Sequence, residues 1–278
     1  MKKSFSVLII TFLTISLAMA QSAEKIKGNR IVSIQTTDIA SFHTIALDED
    51  FDIEIIYAKT PFVEVETDEN LHEFIEFQVI DSVLTFNKTI RITSKKKLNI
   101  KVGYDDALKH IETSGDSELL SLSTMDLENG SLKARESSKV GLTVKSDHFD
   151  IDTDDKSKVK LNLTSENCVL NMSGNSKLDA LVNTTDFIAT LYQRAQTDIE
   201  GSCNTSKIDL DNNSNFNGKN FTTTTCNVTC NISSDAFLEV QDTITIEATG
   251  TSSVYLYGNP KILIDKLTDT SKLQKKVK

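Results

Sequence analysis

From about Lys109 to Lys261 the apolar and polar positions recur with a period of roughly nineteen residues. The segments SLKARESSKVGLTVKSDHF, DIDTDDKSKVKLNLTSENC and VLNMSGNSKLDALVNTTDF begin at Ser131, Asp150 and Val169 and align without a gap. The marker is a Ser-Lys-apolar step whose first residue serves as an anchor: Ser117, Ser138, Ser157, Ser176, Ala195, Ser214, Ser234 and Ser252. Six places before the anchor stand Ile111, Leu132, Ile151, Leu170, Ala189, Ile208, Val228 and Ile246, an entirely apolar column. The next place holds Glu112, Lys133, Asp152, Asn171, Thr190, Asp209, Thr229 and Glu247, an entirely polar one. Such alternation predicts strands with one dry and one wet face. Each repeat reads as two short strands and two turns, one at the anchor and one at the repeat's end.

A short, steady period means one supersecondary unit stacked on copies of itself. Equivalent strands run the same way, so they pair in parallel, and parallel crossovers are right-handed in nearly all proteins. The predicted fold is an all-β right-handed parallel β-helix, a solenoid of about eight coils, with Ile151, Leu170, Ala189 and Ile208 in one inward column. Gly115, Gly174 and Gly250 stand two places before the anchor, where a positive φ is easiest for glycine. Asp155 and Asn212 hold the same place in two other coils and tolerate that conformation better than most residues.

Four segments are predicted. Residues 1–20 read as a secretory signal: Lys2 and Lys3, an apolar run from about Phe5 to Leu17, then Ala18-Met19-Ala20 as the cleavage site. The run is short for a membrane span, and no stretch of the mature chain approaches one. Residues 21–106 show strand alternation (Phe51, Ile53, Ile55; Val63, Val65; Leu98, Ile100, Val102) without the repeat, and Asp68 to Ile75 resembles a capped helical turn or two. They form an N-terminal β portion continuous with the solenoid. Residues 107–261 are the repeats, and 262–278 are a basic C-terminal tail or cap.

The formal charge of −10 becomes −12 once Lys2 and Lys3 leave with the signal, which argues against nucleic acid or an anionic membrane surface as partner. Residues 261–278 invert that balance, with six Lys against two Asp. Cys168, Cys226 and Cys230 fall on inward columns too far apart for a disulfide, and Cys203 lies near a corner, so the four read as buried free thiols with no disulfide. His43, His72, His110 and His148 are scattered, giving no metal site and no cofactor. Asp152 and Asp154 beside Lys133 and Arg135 come nearest to a lyase-like cluster. Opposite charges at matching outward positions of adjacent coils are more simply a solvated ladder. No catalytic residues are assigned.

A resemblance is carried by Ser41-Phe42-His43-Thr44-Ile45, Phe51-Asp52-Ile53, Asp68-Glu69-Asn70-Leu71, Asp81-Ser82-Val83-Leu84, the Ser114-Gly115-Asp116 turn and the closing Tyr257-Gly258-Asn259-Pro260. With these phrases the mature chain resembles the putative auto-transporter adhesin, head GIN domain family of exported bacterial proteins, common in the Bacteroidota. The resemblance implies a parallel β-helix and an exported location, in the periplasm, at the outer-membrane surface or outside the cell. It brings no established activity and no catalytic residues. This sequence departs from the family by lacking glycine at most turns and by having no C-terminal membrane barrel.

The functional expectation is a non-enzymatic, adhesin-like or cell-envelope binding protein whose partner is a glycan or a protein. A polysaccharide-active enzyme and a structural scaffold are the alternatives. Ligand-binding candidates are Phe237, Tyr255 and Tyr257, because these outward positions are polar in most coils and an exposed aromatic cluster calls for a reason. Either they form an open stacking platform, or the tail folds back and covers them with Ile262, Ile264 and Leu267.

Overall fold

The computed structural model describes residues 25 to 278, so the signal segment lies outside the described residues. Its body is a parallel β-solenoid of about nine turns. Ile151 pairs with Leu170, Leu170 with Ala189 and Ala189 with Ile208, and all four side chains are buried. The strand after each anchor builds a second face: Val140, Val159, Leu178 and Thr197 follow one another in register with their side chains inside. Each coil thus contributes one strand to either face, and the dry columns of both meet in one continuous core.

The last coil is one that the anchor count passes over. Ser271-Lys272-Leu273 stands nineteen residues after Ser252 and repeats the anchor step. Strand Lys261–Leu267 pairs with the Thr243 to Ala248 segment, and Lys272–Lys275 pairs with Ser253–Tyr257, all in parallel. The C-terminal basic segment therefore continues the solenoid axis, and Ile262, Ile264 and Leu267 stack on Ile244, Ile246 and Ala248.

Two local devices make the anchor turn. Every residue two places before an anchor has a positive φ: Gly115, Glu136, Asp155, Gly174, Gln193, Asn212, Ile232, Gly250 and Asp269. Glycine is needed where a Cβ would strike neighbouring backbone; at Gly174 it would lie 2.7 Å from the Asp155 nitrogen. At four anchors the serine then closes the turn by donating from Oγ to the carbonyl three residues earlier: Ser117 to Ser114, Ser138 to Arg135, Ser176 to Ser173 and Ser271 to Thr268, at 2.7 to 2.8 Å. Among the nine anchors only Ala195 lacks the hydroxyl.

The N-terminal portion shares the core and caps one end by doubling back. Thr44–Leu47 and Asp52–Tyr57 make a regular coil with Glu49 at positive φ. The chain then moves outward instead of onward. Val83–Lys88 pairs in parallel with Thr44–Leu47, and Leu98–Tyr104 pairs with Asp52–Tyr57, making a further layer on the outside. The chain next passes back over that coil to His110–Thr113, which pairs with the other edge of Thr44–Leu47. Antiparallel strands close the end: Phe62–Asp68 on Leu98–Tyr104, Val32–Asp38 on Phe62–Asp68, and Ile75–Ile80 on Val83–Lys88.

The helical turn expected near Asp68 is a 3-10 helix, Glu69–Phe74, without a side-chain cap. The Asp68 carboxylate is engaged elsewhere, accepting from the backbone amides of Arg30 and Lys96 at 3.2 Å. It ties the small parallel pair Lys25–Lys27 and Arg91–Ser94 to the cap.

Candidate functional site

Phe237, Tyr255 and Tyr257 lie on the outer side of the second face, at the C-terminal end of the rod. Phe237 and Tyr255 are register partners on adjacent coils. The inter-strand spacing suits aromatic stacking, and their rings are parallel within 13° with centroids 4.4 Å apart. Asn217 continues the column on one side and Gln274 on the other, so the stack is flanked by two amides. Tyr257 pairs with Glu239, whose carboxylate accepts from Thr222 Oγ1 at 3.1 Å and forms an ion pair with Lys278. Lys276 lies with Nζ 4.9 Å from the Tyr255 ring centre. The three aromatic side chains are half-buried.

The last coil, not a folded-back tail, supplies what borders the aromatics. Ile262, Ile264 and Leu267 sit on the other face and remain 41–50% exposed at the open end. Glu239, Gln274 and Lys276 are members of this surface that the sequence reading passed over. Gln274 and Lys276 would have been placed there by recognising Ser271 as an anchor.

The charge ladder near Asp152 takes a different form from the one expected. Lys133 and Asp152 are register partners, but the Lys133 ammonium turns to Glu112 of the preceding coil, at 3.2 Å. Asp154 accepts from Ser173 Oγ and from the Asp155 amide, both at 2.7 Å. Among the described residues it forms no ion pair with Arg135. Lys133, Arg135 and Asp154, with Glu112 and Glu136, border a shallow depression of about 720 Å³.

All four cysteines are buried and unpaired. Cys168, Phe187, Ser206 and Cys226 follow one another in a single inward column, so Phe187 and Ser206 separate the two thiols. Burial pushes the Cys168, Cys226 and Cys230 thiols up to about 12 and Cys203 up to about 11. Such thiols remain protonated and unreactive at neutral pH. Three of the four histidine side chains are hydrogen-bonded: His72 with Ser33 Oγ, His110 with Ser131 Oγ and His148 with Asp150, at 2.8 to 3.0 Å. No helix among the described residues is long and apolar enough to cross a membrane.

Comparison with known proteins agrees with this architecture. A putative adhesin from Parabacteroides distasonis ATCC 8503 superposes with a TM-score of 0.69 at 17% identity, over 90% of this chain and all of that one. A putative adhesin from Parabacteroides merdae ATCC 43184 gives 0.66 at 17% identity, over 91% of this chain and all of that one. A putative lipid binding protein from Parabacteroides distasonis ATCC 8503 gives 0.60 at 15% identity, over the same shares. At such identities these likenesses establish the fold alone. A search of curated proteins finds no match. The model of the family described as putative auto-transporter adhesin, head GIN domain, matches residues 41–181 and 158–260. Those spans take in most of the chain, from the first regular coil to the closing Tyr257-Gly258-Asn259-Pro260, and the chain belongs to that family.

Proposed function

We propose that the protein is a non-enzymatic, exported, adhesin-like solenoid that holds a cell-envelope glycan or protein against the aromatic end of its second face. The observation that carries this reading is the Phe237–Tyr255 stack, on a column that is polar from Lys160 to Asn217, with an amide on either side and Tyr257 beside it. Stacked aromatics offer a flat apolar surface, and Asn217 and Gln274 supply donors and acceptors at its margins. Lys276 rests on Tyr255 by a cation–π contact that a partner's own cation or sugar ring can replace. Family membership supports the adhesin-like class, and the Lys2 to Ala20 segment supports export with cleavage after Ala20, to the periplasm, the outer-membrane surface or the medium.

The reading is tested by placing a photo-crosslinking residue at Gln274 in the mature protein and exposing it to envelope fractions. It expects one predominant adduct, competed by excess unlabelled protein and lost with Tyr255→Ala. Adducts that persist unchanged with Tyr255→Ala, or release of oligosaccharides from envelope polysaccharide by the pure protein, would reject it.

A further inference from the structure

A second recess lies at the other end of the rod, on the corner opposite the anchor turns. It has a volume of about 590 Å³ and is bordered by Tyr57, Tyr104, Asp106, Asp126, Glu128 and Asp147. Tyr57 and Tyr104 end adjacent parallel strands as register partners. Their rings meet edge to face, 5.9 Å apart at 83°. Tyr57 is 46% exposed and offers a ring to the recess, whereas Tyr104 is 2% exposed.

The Tyr104 hydroxyl is the unusual group. It is buried and has no hydrogen-bond partner among the described residues. A phenol this enclosed is ordinarily paired, because an orphaned hydroxyl loses its water without recompense. Burial pushes Tyr104 up to about 12, and next in weight come Tyr57, Asp126 and Asp106, so the hydroxyl lies in the field of the recess carboxylates. It is neutral at physiological pH and can both donate and accept.

Charge narrows what could enter. Asp105 is committed to the loop, accepting from the Ser41 hydroxyl and the Ala107 amide. Asp106 faces the Tyr57 hydroxyl, and its hydrogen bond and charge raise that phenol's pKa. Lys145 lies 3.8 Å from Asp126, and Lys109 is the other cation on the rim. Four carboxylates against two ammonium groups leave the recess acidic. No group of three or more carboxylate, His or Cys side chains among the described residues converges as metal ligands do.

We infer that this recess binds a sugar ring carrying a protonated amine, its C–H face on Tyr57, a ring hydroxyl paired with the Tyr104 hydroxyl and its ammonium among the carboxylates headed by Asp106. The volume is ample for a saccharide unit. A polyol is the ligand that a neutral, two-way hydroxyl beside an exposed aromatic ring recognises. The acidic rim selects the amine and repels uronates.

The test uses the full mature protein, with glucosamine, methyl α-glucoside and glucuronate as probes. The chain has five Tyr and no Trp, so tyrosine emission and amide NMR shifts around residues 57 and 104–109 report binding directly. Glucosamine should bind tightest, the methyl glucoside about fivefold to tenfold weaker, and glucuronate weaker again. Tyr104→Phe should weaken glucosamine binding about tenfold while leaving the melting temperature equal or higher, because it removes an unpaired hydroxyl. Tyr255→Ala should leave this binding unchanged, which separates the recess from the terminal face. Undiminished glucosamine binding by Tyr104→Phe, equal binding of all three sugars, or no response at residues 57 and 104–109 would each overturn the assignment.

Discussion

The anchor serines do not all stabilise the solenoid equally, and the structure says which matter. Ser176 Oγ donates to the Ser173 carbonyl at 2.7 Å and accepts from Thr153 Oγ1 at 3.0 Å. Thr153 stands four places before the preceding anchor, and Thr113 makes the same bond to Ser138, also at 3.0 Å. Where that place holds Ala134 the partner is missing, and Ser157 Oγ is buried without a hydrogen bond. Where it holds Met172 the next anchor is Ala195, so the one anchor without a hydroxyl sits where there is none to satisfy. Ser176→Ala removes a bond worth about 1 kcal/mol and strands the Thr153 hydroxyl at a cost of about 1 to 3 kcal/mol, a total of about 2 to 4 kcal/mol. Ser157→Ala strands nothing and should change stability by about 0 to 1 kcal/mol in the favourable direction. Adding Thr153→Val to Ser176→Ala should recover about 1 kcal/mol or more relative to the single change, since the orphan is gone. Urea unfolding followed by circular dichroism, with midpoints compared at an unchanged m-value, reads all three. Equal losses for Ser157→Ala and Ser176→Ala would refute the reasoning, because the hydrogen bonds that Ser176 makes and Ser157 lacks would then carry no weight.

Three further outcomes follow from the same structure. Ile232 is a β-branched residue at φ 45°, 57% exposed, so Ile232→Asn should stabilise by about 1 kcal/mol in the same urea assay; a loss would show that the side chain packs usefully. At Gly201, φ is 109° and a Cβ would fall 2.1 Å from the Val182 carbonyl oxygen; Gly201→Ala should cost about 3 kcal/mol or more, and a cost below 1 kcal/mol would contradict the corner geometry. The buried thiols have folded-state pKa values of about 11 to 12 against an ordinary 9.0, so the unfolded chain loses its protons first. Stability should be constant with respect to these groups below about pH 9 and fall from there towards pH 12, and Cys226→Ala should make that fall shallower by about 1.4 kcal/mol per pH unit. A slope unchanged by Cys226→Ala would contradict the burial.

The solenoid was legible because each coil repeats one physical solution. Leu170 and Ala189 could be set in one column without coordinates, since a period of nineteen with two-fold alternation admits one stacking register. The positive φ at Asp155 and Asn212 was legible for the same reason, and it holds even at Glu136, Gln193 and Ile232, where local preference argues against it. The position of the coil enforces the conformation, and inter-coil bonds outweigh the residue's own cost. Ser271 went unread as an anchor because the lysines around it suggest a tail. Among the described residues no further coil lies against it, and Ile262 and Ile264 are only half covered.

The N-terminal layer was not legible, because no period announces that Val83–Lys88 lies outside a coil that precedes it in the chain. That re-entry is also what brings Tyr104 beside Tyr57 and both beside Asp126, three residues with no shared pattern in sequence. Phe237 and Tyr255, by contrast, stood out as aromatic residues in a column that is polar in most coils.

The central claim, that the aromatic end of the second face holds an envelope partner, is tested most directly by one affinity comparison. The mature protein and its Tyr255→Ala/Tyr257→Ala variant would be titrated against the same immobilised envelope fraction, with circular dichroism showing both to be folded. The account predicts binding at least about tenfold weaker for the variant, the loss typical of central aromatic anchors. Equal affinity for the two proteins would contradict it.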